Sequence, residues 1–237
     1  MFKIAYGAGH NDATANGIPE SIHKPFVNEW RLNDKIARFF EEAAKQYPVE
    51  LLRVDDPEGL EPVSLAGRCK AANDWGADFF LSIHHNAGIN GGSGGGLVAF
   101  CWKKGTDAAK YRDAIYDACM DSGGIEGDRW DATPEKGFYV LTNTNMPAVL
   151  MEYGFMDSVT DAPIILTDEY AKAMAYATME GIAKVAGLEK LPKPEKKDVF
   201  YRVQCGAFTD QSRAFAYRDK LRKAGFSDAF VVEVEKT

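Results

Sequence analysis

The sequence predicts an α/β fold, with an open, largely parallel, twisted sheet flanked by helices and a small β-α-β unit at the C-terminus. Short apolar runs bounded by glycine, asparagine and proline are typical of buried strands. Segments with apolar residues at helical spacing alternate with these runs, a pattern typical of helices that connect the strands of a parallel sheet. The clearest such segment places Leu32, Ile36 and Phe40 on one face and charged residues on the other.

The elements are expected in the following order along the chain. Strands are predicted over residues 2–6, 49–54, 77–84, 97–102, 137–142 and 148–153. Helices are predicted over residues 25–47, 65–75, 107–122 and 168–186. Residues 7–25 and 86–96 are predicted loops, and the second contains six glycines in eleven residues. Its glycine content favours a flexible connector over a substrate lid.

The composition changes after residue 188. Residues 189–198 are rich in proline and lysine, which is typical of a semi-rigid linker. The last segment, residues 199–237, predicts strands over 200–205 and 229–234 around a helix over 211–224. About forty residues is marginal for an independent hydrophobic core.

Composition and charge exclude several classes of protein. The 237 residues carry a formal net charge of −7, which argues against a nucleic-acid partner. The four cysteines have no metal-type spacing, as expected for idle thiols in a reduced compartment. No apolar stretch is long enough to insert into a membrane, and no charged leader resembles a signal peptide. We therefore expect synthesis in the cytoplasm.

Candidate chemistry lies at the ends of three apolar runs, which lead into His10, His84 and Glu152. The carboxyl ends of parallel strands meet at one edge of a sheet, where ligands bind. Glu29 extends the core-facing stripe of the first helix, where an ionised carboxylate is costly unless it is paired or coordinated. His10, Glu29 and His84 thus predict a catalytic Zn²⁺ site with one open position. Glu152 is then the expected general acid and base.

Each of these residues alone also has a structural interpretation. His10 at a strand end is more often hydrogen-bonded than metal-bound. Glu29 alone would be a helix N-terminal carboxylate that the helix dipole favours. Glu152 alone would be a buried ion-pair partner. The convergence of all four residues at one edge is what favours the metal site.

Four nearby residues receive lesser roles. His85 points to the side of its strand opposite His84, so a structural or supporting role is expected. His23 is the spare ligand should Glu29 not bind metal. Arg68 is expected to pair at the surface, and Arg53 either pairs with a carboxylate near the site or covers the surface.

Several sequence blocks resemble, in order and spacing, the zinc-dependent N-acetylmuramoyl-L-alanine amidases of the Amidase_3 type. They are Gly7 to His10, Asn28-Glu29, Arg53, and residues 68–73, 82–87 and 150–155. The family usually has Gly-Gly where Asn11-Asp12 follow the histidine here. The resemblance covers about residues 1–187 and implies that residues 1–188 form the catalytic domain.

The resemblance also implies roles and a substrate. His10, Glu29 and His84 would be the zinc ligands and Glu152 the catalytic acid and base. The implied reaction is hydrolysis of the peptidoglycan amide between N-acetylmuramic acid and L-alanine. Two alternatives stay open, namely a zinc peptidase that acts on the stem peptide and a non-catalytic wall-binding module.

The C-terminal segment, residues 199–237, resembles half of a SPOR domain, a family that binds glycan strands stripped of stem peptides. The matching residues run from Tyr201 to Phe208 and include Ala214, Leu221 and Gly225. The second half of such a domain is missing, so either two chains pair their halves into a homodimer or the unit is loosely held. A leaderless amidase with a wall-binding tail resembles an endolysin, which implies action on the cell wall after release from the cytoplasm.

Overall fold

A computed structural model describes residues 1–129, 131–192 and 204–234 of the chain. The chain divides into two compact units, Met1–Pro192 and Lys193–Thr237. No helix within the described ranges is long and apolar enough to cross a membrane. The larger unit contains the predicted site residues.

The larger unit is built on a five-stranded sheet. Its strands are β1 (Phe2–Ala8), β4 (Val49–Arg53), β5 (Phe79–Asn86), β6 (Val98–Phe100) and β7 (Ala148–Phe155), and a separate two-stranded ribbon consists of β2 (Gly17–Ile18) and β3 (Val27–Asn28). The sheet order is β4-β1-β5-β7-β6, and all neighbours are parallel except β6 and β7. The predicted open and largely parallel sheet is confirmed.

Helices cover both faces of this sheet. They are α1 (Glu29–Ala44), α2 (Leu65–Trp75), α3 (Asp107–Asp121), α4 (Tyr139–Thr142), α5 (Ala162–Ile165) and α6 (Asp168–Ala186). Because side chains alternate along a strand, Leu81 and Met151 pack with α1, α3 and α6, whereas Phe80 and Leu150 pack with α2 and α4. The sheet is therefore buried on both faces, as its nearly continuous apolar strands require.

Two element predictions are wrong in detail. The first helix begins at Glu29 rather than at residue 25, because Val27 and Asn28 pair with the ribbon and the Asn28 side chain caps the helix by accepting the Arg31 N–H. Tyr139–Thr142 form helix α4, so the strand predicted over residues 137–142 is not formed. The adjacent residues Val140 and Leu141 are both buried in the same cluster, which the alternation of a strand would prevent.

The C-terminal unit differs from the predicted β-α-β unit. Within residues 204–234 its regular element is the helix α7 (Gln211–Lys223). The predicted strand over 229–234 is not formed there, and residues 200–203 of the other predicted strand lie outside the described residues. The backbone after α7 turns there, since the Ala229 N–H donates to the Phe226 carbonyl oxygen at 3.1 Å.

The close approach of α3 and α6 generates a prediction about Gly181. A Cβ atom at this position of α6 would lie 2.5 Å from the Cα of Ile115 and 2.7 Å from its backbone nitrogen. Although alanine normally favours a helix by about 1 kcal/mol over glycine, we expect Gly181→Ala to lower the free energy of unfolding by about 1–3 kcal/mol. Urea unfolding of the full chain measures this change.

The matched control is Gly67→Ala in α2. A Cβ there would meet only the side chains of Ser64, at 3.2 Å, and Val63, at 3.5 Å. This substitution should be neutral or stabilising. Equal stability changes for the two variants would contradict the packing argument.

Candidate metal centre

Three predicted ligands meet at the carboxyl edge of the sheet. His10 follows β1, Glu29 is the first residue of α1, and His84 lies near the end of β5. His10 Nε2 lies 3.1 Å from Glu29 Oε2, and His84 Nδ1 lies 3.1 Å from Glu29 Oε1. One donor atom from each residue lies within 4.8 Å of the other two, and no other such group of three occurs among the described residues.

The Glu29 carboxylate is the centre of this group. Its side chain is buried, and each carboxylate oxygen contacts one imidazole. Burial alone would raise the pKa of Glu29, but the hydrogen bonds with His10 and His84 hold that pKa well below its usual range. The carboxylate is therefore ionised and available as a ligand.

The donor set fits a small divalent ion such as zinc. Two imidazole nitrogens and a carboxylate oxygen are the donors found in catalytic zinc sites, which leave one position for water or substrate. Bonds of about 2.0–2.1 Å in a tetrahedral arrangement separate neighbouring donors by about 3.3 Å. Each of the two observed separations of 3.1 Å joins one imidazole nitrogen to a different oxygen of Glu29, and each is close to this value.

The turn after β1 requires glycine at position 9. A Cβ atom on Gly9 would lie 2.1 Å from Cε1 of the His84 ring, so any larger residue would displace this imidazole. His10 itself has a φ of 66°, in the left-handed region that few residues other than glycine adopt. The sequence Gly-Ala-Gly-His thus places the His10 ring beside the His84 ring, with 5.4 Å between their centroids.

Arg68 holds the backbone of this turn, so its predicted surface pairing is wrong. The guanidinium is buried and donates hydrogen bonds to the carbonyl oxygens of Ala8 and His10, the latter at 2.9 Å. Ala8 is the last residue of β1 and His10 lies in the turn after it, so Arg68 supplies donors where the regular pairing of the strand ends. Helix α2 supplies the donor from a sequence position about sixty residues away.

Arg53, whose role the sequence left open, belongs to a buried ion-pair network behind the turn. Its Nη2 lies 2.7 Å from Asp34 and 2.9 Å from Asp55. The Oδ1 oxygen of Asp55 in turn accepts the N–H of Ala8. Arg53 therefore supports β1 and α1 and does not contact the three ligands.

Glu152 lies opposite His84 in the register between β7 and β5, so both side chains point to the same face. The residue is partly exposed, yet its Oε2 oxygen is buried and has no hydrogen-bond partner among the residues that the structure describes. Burial, followed by the negative charge of Glu29, raises the pKa of Glu152 well above its usual value. A carboxyl group with a raised pKa beside a possible metal site is typical of an acid or base catalyst.

The remaining histidines have different positions. His85 is buried on the face opposite His84, and burial lowers its pKa to about 3, which leaves the ring neutral. Its Nδ1 lies 2.8 Å from the side-chain oxygen of Asn33, a residue that sequence reasoning missed. The signal for Asn33 was its position one helical turn after Glu29 on the buried stripe. His23 does not belong to the ligand group.

The glycine-rich segment, residues 88–96, is hydrogen-bonded to the chain that follows β7. Asp157 accepts the backbone N–H groups of Gly88 and Asn90, and Asp161 accepts that of Gly96. These bonds tie the segment to the chain after β7 near both of its ends. Its interpretation as a flexible connector stays a prediction.

Comparison with known proteins identifies the family. Residues 4–184 match the family model described as N-acetylmuramoyl-L-alanine amidase, and residues 173–237 match that of the SPOR domain. The chain belongs to the N-acetylmuramoyl-L-alanine amidase family. The SPOR match begins within α6, which packs against the sheet of the larger unit.

Individual relatives agree with this assignment. The sporulation-specific N-acetylmuramoyl-L-alanine amidase of Bacillus subtilis is 32% identical over 98% of this chain and 86% of its own length. The endolysin of Bacillus phage SPP1 is 33% identical over 83% of this chain and 73% of its own length. The crystal structure of an N-acetylmuramoyl-L-alanine amidase from Clostridium difficile shares the fold, with a TM-score of 0.69 and 24% identity over 78% of this chain and 97% of that one.

Because the Glu152 carboxyl has a buried oxygen and a raised pKa, we predict that its replacement by a neutral amide stabilises the folded chain by an amount that depends on pH. The pKa of Glu152 in the folded chain is raised above 4.5. The contribution of this carboxyl group to the free energy of unfolding is therefore complete below about pH 4.5, and it is lost as the pH rises toward the folded pKa. In the metal-free protein, Glu152→Gln should therefore raise the melting temperature increasingly above pH 4.5. Thermal unfolding followed by circular dichroism at pH 4.5 and pH 8 measures the difference.

The control for this measurement is Glu169→Gln, which removes an exposed carboxylate from the first turn of α6. Its melting temperature should show no comparable gain at pH 8. If Glu152→Gln also shows none, the Glu152 carboxyl is not buried in its neutral form.

Proposed function

We propose that this chain is a zinc enzyme that hydrolyses the amide between N-acetylmuramic acid and the L-alanine of the peptidoglycan stem peptide. The observation that carries the proposal is the meeting of His10, Glu29 and His84, from three separate elements, at the sheet edge that also holds Glu152. Membership of the amidase family supports the choice of bond. His10, Glu29 and His84 would hold the ion.

The chemistry that bound zinc supplies is the polarisation of the substrate carbonyl and the activation of a water molecule for attack on its carbon. The protein supplies the proton transfers. In our proposal the Glu152 carboxylate takes the proton that the attacking water releases and then donates it to the departing nitrogen of alanine. Its Oε2 oxygen suits this role because no other group of the described chain hydrogen-bonds to it.

The environment of Glu152 makes its carboxylate a stronger base than that of an exposed glutamate. Burial raises the pKa of its carboxyl group, so the group holds a proton more firmly than an exposed glutamate does. The neighbouring Glu29 carboxylate opposes a second negative charge at the site, which further favours the protonated form of Glu152. The proton can thus stay on Glu152 until the amine leaves.

Digestion of purified peptidoglycan tests the reaction. We expect new N-terminal alanine without cleavage inside the stem peptide. Glu152→Gln should lower the rate by about 10²–10⁴-fold, as expected for loss of a general acid and base, while Glu169→Gln should keep full activity. Cleavage within the peptide would instead identify a zinc peptidase, and wall binding without any cleavage would identify a binding module.

Metal removal tests the cofactor. Dialysis of the full chain against a chelator should abolish hydrolysis, and one equivalent of zinc should restore it. Elemental analysis of the restored protein should find one zinc per chain, and a His84→Ala variant should bind less. Full activity of the chelated protein would contradict the zinc mechanism.

We also propose that the C-terminal unit binds the cell wall and pairs with the same unit of a second chain. The SPOR match supports wall binding. Support for pairing comes from the surface of the described part, where α7 has no buried residue and Phe208, Tyr217 and Phe226 are 42%, 37% and 60% exposed. A unit of this size is marginal for a hydrophobic core of its own, so pairing would give these side chains a surface to bury against.

Sedimentation velocity of the full chain over a range of concentrations tests the pairing. We expect a monomer–dimer equilibrium that Phe226→Glu shifts toward the monomer, because the new charge replaces an exposed apolar side chain. Lys223→Glu is the control, since it introduces the same side chain at a nearby polar position. A wild-type chain that stays monomeric throughout would contradict pairing. Action on the wall after release from the cytoplasm, as in an endolysin, is part of the same proposal.

A further inference from the structure

We propose that Asn33 and His85 act as a positioning pair that fixes the Glu29 carboxylate, and with it the zinc affinity of the site. The inference rests on the proposed metal centre but concerns two residues that bind no metal themselves. Asn33 lies in α1, one turn after Glu29, and is fully buried. His85 follows His84 on β5 and is buried on the opposite face.

The orientation of the Asn33 amide follows from its partners. Its Nδ2 lies 3.2 Å from Glu29 Oε1 and 3.2 Å from the carbonyl oxygen of Gly9. Both of these oxygens only accept hydrogen bonds, so the NH₂ group and not the carbonyl of Asn33 must face them. The amide therefore donates at the same time to one ligand side chain and to the backbone just before His10.

His85 locks the amide in this orientation. The Asn33 Oδ1 oxygen faces His85 Nδ1 at 2.8 Å, and because this oxygen only accepts, Nδ1 carries the proton. A flipped amide would place its oxygen against the Glu29 carboxylate and the Gly9 carbonyl, and it would require the other tautomer of His85. The backbone N–H of His85 adds a long contact of 3.4 Å to the same Glu29 oxygen.

The pair thus connects the elements that carry the three ligands. Asn33 links α1 to the turn after β1, and His85 links α1 to β5. A buried carboxylate that is hydrogen-bonded in one direction loses little further freedom when it binds an ion. Partners of this kind typically change metal affinity by about 10–100-fold when they are removed.

Zinc affinity of the metal-free full chain, measured by competition with a chromophoric chelator, tests the proposal. Asn33→Leu keeps most of the volume and removes the donors, and we expect it to raise the zinc Kd by about 10–100-fold. His85→Phe keeps a ring but removes the Nδ1 proton, and we expect a smaller increase. The double variant should match Asn33→Leu alone, because His85 acts through the amide.

The matched control is Asn73→Leu. This asparagine of α2 also bridges two backbone groups, the carbonyl of Asn143 and the N–H of Asn145, away from the three ligands. Asn73 is half-buried, and its substitution should leave the zinc Kd unchanged, which separates a positioning role from the loss of any asparagine that bridges two backbone groups. Circular dichroism and thermal unfolding of every variant accompany the titrations.

Three outcomes would overturn the inference. They are an unchanged Kd for Asn33→Leu, an equal rise in Kd for Asn73→Leu, and an additive loss in the double variant. If Asn33→Leu does not fold, Asn33→Ala and His85→Phe decide the question by the same titration and the same control. A wild-type chain that binds no zinc would overturn the proposed function as well, whereas tight binding that is insensitive to Asn33 would overturn this inference alone.

Discussion

The buried negative charge of Glu29 is the constraint on which the rest of the site depends. A carboxylate in a protein interior is stable only when donors or cations surround it. Here two imidazoles take one oxygen each, and a buried amide adds a further donor to one of them. The strands and the first helix bring His10, Glu29 and His84 together, and their nitrogen and oxygen atoms form a set of donors that suits a divalent ion.

The parallel sheet explains how groups so distant in sequence reach that point. β1, β5 and β7 are adjacent and parallel, so His10, His84 and Glu152 are all delivered toward the same edge. Because strand side chains alternate, His84 and Glu152 share one face whereas His85 points to the other. Two consecutive histidines thereby take different tasks, one beside the carboxylate and the other in the core behind it.

Arg68 and Arg53 stabilise this edge of the sheet through hydrogen bonds and ion pairs. Arg68 donates to the carbonyls of Ala8 and His10 at the end of β1, and Arg53 pairs with Asp34 and Asp55 behind the turn. Removing one member of such a buried set leaves the others uncompensated, which is why these pairs are costly to break. The C-terminal unit contrasts with this, since its described helix buries no side chain at all.

The sequence by itself determined the α/β class, the strands that carry His10, His84 and Glu152, and the bounds of α2 and α6, because apolar periodicity and turn residues are local signals. It also indicated Glu29 through its place on the buried stripe of α1. The tertiary structure alone decided that Tyr139–Thr142 are helical, that Arg68 is buried and that Asn33 contacts both Glu29 and His85. The physical reason is that a short apolar run, an arginine or an asparagine gains its role from partners brought close by folding, and those partners leave no mark at its own position in the sequence.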